Sequence, residues 1–276
     1  MIIKPILVLL LQAALALTAQ QAYGQQPLRF AVDNRHSDPI PPYSWYNQCK
    51  KVHQGFNNAL YKKIAADLSL EAKFIEAGLA ENTIDMLNQS TALLMENKAD
   101  FALAPPSFIQ QRNQLTAGEK PVTATSPVLI LAASQAEITE VKQLEKLNGV
   151  GVNSADAVKI LKLQNVNINV NKVGSIKEAV MHLARGEQDY WLTDKFIAQY
   201  LINDLGLQSK VRISKLKVGT SIGLHIMTNQ QPVNQERLQQ IDQLLASYHQ
   251  NGYIEYLKFR VMQSWLANKD CANSAD

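Results

Sequence analysis

Lys98-Ala-Asp100-Phe-Ala-Leu-Ala-Pro-Pro-Ser107 and Arg185-Gly-Glu-Gln-Asp189-Tyr-Trp-Leu-Thr-Asp194 follow one pattern: the end of a helical run, an aspartate, a short apolar strand, then polar residues at its far end. The correspondence continues upstream. Arg29-Phe-Ala-Val-Asp33 and Val150-Gly-Val-Asn153 each read as a strand leading into a helical run, a second strand and a second helix. Each half therefore spells a β-α-β-α-β unit, and two such units in one chain predict an α/β protein of two lobes with a cleft between them.

Working outward, helices are expected over 55–68, 84–96, 155–163, 176–185, 195–205, 235–249 and 256–266. In the first of these, Phe56, Leu60, Ile64 and Leu68 recur every four residues and share one face. Strands are expected over 28–32, 70–77, 100–104, 127–133, 149–153, 167–173, 189–193 and 219–227. The apolar runs 127–133 and 219–227 are the expected crossings between lobes, which assigns 25–123 and 221–267 to one lobe, 124–220 to the other and 268–276 to a polar tail. A hinge is expected near 123–125 and 219–221. The proline-rich stretch 34–42 cannot be helix interior and reads as a loop after the first strand.

The N-terminus bears on the compartment. Lys4 is the single charge before Arg29, residues 6–17 are almost wholly apolar, and Ala22-Tyr23-Gly24 supplies small residues ahead of Gln25. This reads as a cleaved signal peptide over 1–24, the apolar run being shorter than the roughly 20 residues that span a bilayer. Its removal lowers the formal net charge from +3 to +2, with both signs mixed along the chain, so no nucleic-acid partner is expected. The mature chain is expected to be soluble and monomeric. Cys49 and Cys271 are the only thiols, and export to an oxidising compartment would allow them to pair.

The five histidines lack close metal-ligand spacing, and no G-x-S-x-G, Walker loop or complete G-x-G-x-x-G occurs. Neither a metal nor a cofactor is expected, and the chain is read as a binding protein rather than an enzyme. In open α/β sheets ligands lie outside the carboxyl ends of the strands. That rule selects Tyr43, Trp45, Tyr46, Ser107, Arg112, Ser154, Asp156 and Asp194: a cation, acids, hydroxyls and aromatics.

These residues carry a resemblance. The segment from Asp100 to Arg112, with Ser107 ending a strand and Arg112 five residues later, resembles family 3 bacterial periplasmic solute-binding proteins. Pro41-Pro42-Tyr43, Gly55-Phe56 opening a helix, and Gly186-x-x-Asp189-x-x-x-x-Asp194 are similar to other stations of that family in order and spacing. The resemblance implies a type II two-lobed fold, joined by two crossing strands, that closes on an amino acid or similar solute and delivers it to the membrane subunits of an ABC importer. It also implies that Arg112 clamps the ligand carboxylate as a bidentate fork, that Ser107 adds a hydroxyl, that Asp194 receives the ammonium and that Tyr43 stacks on the side chain. Asp194 equally suits the N-cap of the helix that follows.

The chain departs from the family at Asn58, where an aspartate is usual, at Pro105, which has no N–H to donate, and at Ala155-Asp156, where a Gly-Thr or Gly-Ser nest is usual. Asp156 would favour a cationic ligand. A sensor subunit reporting to a membrane receptor uses the same cleft, and dehydratases exist on the scaffold, for which Asp156, Asp194 or His36 would be the acid or base.

Overall fold

The two aspartates of the repeat perform the same task. Asp100 Oδ2 accepts from the Arg29 backbone N–H at 2.9 Å while the Asp100 N–H donates to the Arg29 carbonyl at 2.7 Å. Asp189 repeats this on Asn148, with its Oδ2 accepting at 2.8 Å and its N–H donating at 2.9 Å. Each carboxylate thus joins the start of its unit's third strand to the start of the first. Each carboxylate supplies an acceptor to a strand-end N–H, part-buried at Arg29 and exposed at Asn148.

The computed structural model describes residues 26–32, 43–78, 83–125, 127–152, 165–219 and 221–267. The expected loop over 34–42, the helix over 155–163, the tail over 268–276 and the signal peptide lie wholly or almost wholly outside them. Strands β1 (Leu28–Val32) and β4 (Ala72–Glu76) pair in parallel. A bridge from Phe30 to Phe101 joins them to β5 (Ala102–Ala104), which lies antiparallel to β12 (Ile222–Asn229), itself antiparallel to β6 (Leu115–Thr125). The other lobe holds a five-stranded sheet in the order β11 (Val211–Lys217), β7 (Pro127–Ala132), β10 (Tyr190–Asp194), β8 (Asn148–Gly151), β9 (Asn169–Lys172).

Helix α1 (Phe56–Asp67) buries Phe56, Leu60 and Ile64 completely, as their spacing requires. Helix α2 (Thr83–Met95) packs on β5, and the short α3 (Pro106–Ile109) begins at the prolines that end β5. In the second lobe α4 (Ile176–Ala184) is capped by Ser175, whose side chain accepts from the Glu178 N–H, and α5 (Lys195–Asp204) is capped by Asp194. The chain then returns through α6 (Pro232–Gln250) and α7 (Tyr253–Ala267), which pack on α1, β6 and β12.

The lobes are connected where β6 hands over to β7 and β11 to β12. The two connections run side by side, since Ile222, Gly223 and Leu224 pair with Thr125, Ala124 and Thr123. The structure adds elements that the periodicity does not announce: the hairpin β2 (Trp45–Asn47) with β3 (Val52–Gln54), β6, and β11. Gly118 and Pro121 interrupt β6 and its register with β12 shifts beside His225, so no clean alternation marks it.

Candidate functional site

Tyr43 reaches the second lobe because the chain at Gly55 comes very close to it. Gly55 has φ of +130°, and a Cβ there would overlap the Tyr43 carbonyl, which also accepts from the Asn57 N–H at 3.3 Å. Only glycine serves both needs at once. The Tyr43 ring packs edge-on against Phe56 of its own lobe and Phe196 of the other, with centroids 6.3 and 5.8 Å away. Its hydroxyl donates to Asp194 Oδ1 at 3.2 Å, a bond between residues 151 positions apart.

Asp194 ends β10 and opens α5. Its Oδ1 also accepts from the backbone N–H groups of Phe196 at 2.9 Å and Ile197 at 3.3 Å, so the N-cap role expected from sequence is present. Burial raises the Tyr43 hydroxyl pKa well above the ordinary tyrosine range, and the charge and hydrogen bond of Asp194, together with Glu255, push it the same way. Tyr43 is therefore a fixed donor at any physiological pH.

Beside this contact lies a cavity of about 360 Å³. Tyr43, Thr123, Asp194, Lys195, His249 and Lys258 line it, drawn from both lobes, a crossing strand and the two C-terminal helices. Its volume suits a ligand of amino-acid size. Lys258 is the least expected member. Its side chain is 13% exposed, it pairs with Glu255 Oε1 at 2.9 Å and its ammonium stands 5.9 Å from the centre of the Phe56 ring. His249 Nε2 donates to the Pro121 carbonyl at 2.6 Å, which ties α6 to the crossing strand.

Of the residues expected from sequence, Tyr43 and Asp194 meet in this cavity. Arg112 does not line it. Its guanidinium donates to the Phe108 carbonyl at 2.9 Å and to Asn88 Oδ1 at 2.8 Å, and lies 3.5 Å from the Phe108 ring centre. Ser107 is exposed on α3 and is likewise not part of the cavity wall. Asp156 lies outside the described residues. Trp45 is a correction: it is 2% exposed and packs edge-on against Trp265 at 5.0 Å, a core position rather than a cleft wall. Its place on β2 turns it inward, and two large indoles gain more from mutual burial than from solvent.

As cavity residues, Thr123, His249, Glu255 and Lys258 are not expected from sequence, Thr123 being expected only as part of the hinge. Lys258 sits between Leu257 and Phe259 in a helix that reads as ordinary lobe closure, and a lone lysine there resembles a solvated charge. Cys49 is disulfide-bonded, and the chain's other cysteine, Cys271, lies outside the described residues. Among the described residues no group of acidic, histidine and cysteine side chains is arranged to hold a metal, and no helix is long and apolar enough to cross a membrane.

No protein-family model and no curated protein sequence matches the chain. Solved structures do. A putative ABC-transporter binding component from Wolinella succinogenes, complexed with lysine, superposes with a TM-score of 0.65 at 17% identity, over 85% of this chain and 94% of that one. The periplasmic VFT2 domain of Bordetella pertussis BvgS gives 0.63 at 16% identity, over 89% and 97%. An ancestral amino acid-binding protein, described as a precursor of cyclohexadienyl dehydratase, gives 0.60 at 18% identity, over 90% and 99%. Identities this low speak for the fold alone, and on that evidence the chain has the two-lobed α/β fold of periplasmic solute-binding proteins.

Proposed function

We propose that the exported chain is a solute receptor that captures a small polar ligand carrying an ammonium group, with amino acids as the first class to test. The observation that carries this reading is the meeting of Tyr43 and Asp194, one from each lobe, in one cavity beside the crossing strands. An ammonium suits the Asp194 carboxylate, and the Tyr43 ring supplies a face for the ligand's carbon skeleton. Closure would occur about the paired connections at Thr123–Leu224 and Ala124–Gly223, with the ligand favouring the closed state in proportion to its extra contacts there.

Delivery to an ABC importer is the first physiological reading, supported by the likeness to a transporter binding component. A sensor role is the second, supported by the likeness to BvgS and to a histidine kinase sensor domain. In both the protein binds its ligand and releases it unchanged.

The test is a thermal-shift screen of the mature protein against amino acids, polyamines, small organic acids and short peptides. A ligand that binds only the folded state raises the melting temperature. A single responsive class carrying an ammonium supports the reading, and no response from any amine overturns it. Mass analysis of the ligand after incubation separates binding from turnover. Loss of ligand uptake in a strain lacking the protein separates import from sensing.

A further inference from the structure

The family resemblance assigns the ligand carboxylate to Arg112, yet the arrangement of charge in the cavity points elsewhere. The Arg112 guanidinium is held on its own lobe by Phe108 and Asn88. Lys258 and its ion-pair partner Glu255 both line the cavity, with side chains 13% and 76% exposed. An ion pair whose carboxylate stays mostly in water is screened and contributes little, so Lys258 can exchange Glu255 for another anion at small cost. A ligand carboxylate entering the cavity would take the place of Glu255 beside Lys258.

Two further observations agree. Thr123 lines the same cavity, is 1% exposed, and its hydroxyl makes no hydrogen bond. A buried hydroxyl without a partner is costly unless a ligand satisfies it. The Tyr43 ring also lies near both charges: the Phe56 ring, 6.3 Å from it, has the Lys258 ammonium 5.9 Å from its centre, and the Tyr43 hydroxyl donates to Asp194. A cation and an anion lining one cavity near a shared aromatic ring suit a short zwitterion.

We propose that Lys258, on the last helix, is the carboxylate-binding residue of this cavity, assisted by the Thr123 hydroxyl, with the ligand's ammonium on Asp194 and its backbone lying across Tyr43. This rests on the solute-receptor reading and specifies its chemistry: an α-amino acid held by lysine rather than arginine. It also couples the ligand to α7, so that occupancy draws the C-terminal helix and the second lobe together.

The experiment is isothermal titration of the mature protein with the twenty L-amino acids, repeated for the tightest binder with its carboxamide. The variants are Lys258→Met, Lys258→Arg and Arg112→Ala, with Lys258→Gln as the alternative if the methionine protein does not fold. We expect Lys258→Met to weaken the acid by about tenfold or more and to erase the preference for acid over carboxamide. Lys258→Arg should restore most of that preference, and the loss should exceed that of Arg112→Ala. If the wild type binds an amino acid and Lys258→Met and Lys258→Gln bind it as tightly, Lys258 is not the carboxylate group and the receptor reading stands. If no amino acid binds the wild type, the receptor reading for this class falls and the assignment falls with it.

Discussion

The Tyr43 hydroxyl and Asp194 Oδ1, 3.2 Å apart, join the two lobes across the cavity, and the same carboxylate oxygen caps helix α5 through Phe196 and Ile197. One acid therefore holds a helix start, an interlobe bond and the expected ammonium position. Substitutions can separate these roles.

Asp194→Asn keeps a side-chain oxygen that caps the helix nearly as well, whereas Asp194→Ala removes the cap at about 1 kcal/mol. The asparagine protein should melt close to the wild type and bind an amine ligand much more weakly. Thermal melts with and without ligand measure both effects.

Tyr43→Phe deletes the interlobe bond and leaves the ring packing in place. It should cost about 0.5–1.5 kcal/mol of the closed state. Small-angle scattering should show a larger radius of gyration for the unliganded variant, and an unchanged profile would mean that the bond does not hold the lobes together.

Thr123→Val replaces an unpartnered buried hydroxyl with a methyl group of similar shape. The unliganded protein should be as stable as the wild type or more so, since no hydrogen bond is lost. Ligand affinity should fall if the hydroxyl meets the carboxylate. Denaturant melts and titration calorimetry provide the two readings.

Asp100→Ala and Asp189→Ala should both destabilise, because each strands a backbone donor at the start of a first strand. The penalty is about 1–3 kcal/mol for the buried Asp100 site, where Arg29 also loses its carboxylate partner. Asp189 should cost less, its bond being exposed. Chemical denaturation of both variants tests the ranking.

Tyr43, Tyr190 and Tyr200 all have hydroxyl pKa values pushed upward, in each case chiefly by burial. A group that is harder to ionise when folded stabilises fully below its unfolded pKa, about 10 for tyrosine, and less as pH rises beyond it. Stability should therefore fall above about pH 10. Absorbance at the tyrosinate band should show these rings ionising together with unfolding, and early independent ionisation would contradict their burial.

Much of the fold was legible because it rests on local signals. The four-residue spacing of Phe56, Leu60 and Ile64, the apolar run of β7 and the cap at Asp194 each act within a few residues of chain. The repeated aspartates were visible as a pattern, although their task on Arg29 and Asn148 was not. Strand β6 was hidden by Gly118 and Pro121, and Trp45 was misplaced because a strand's inward face is chosen by what it meets, here Trp265.

By itself the sequence determined two related α/β units, their order, the helix start at Asp194 and a shortlist that held both Tyr43 and Asp194. Tertiary structure alone decided which charges share a cavity. Arg112 turned to Phe108 and Asn88 beside it in space, while Lys258, more than 200 residues from Tyr43, was brought to the Phe56 ring and the same cavity by the packing of α7 on α1. Electrostatic partnership depends on distance and burial, and neither is written in the spacing of residues along a chain.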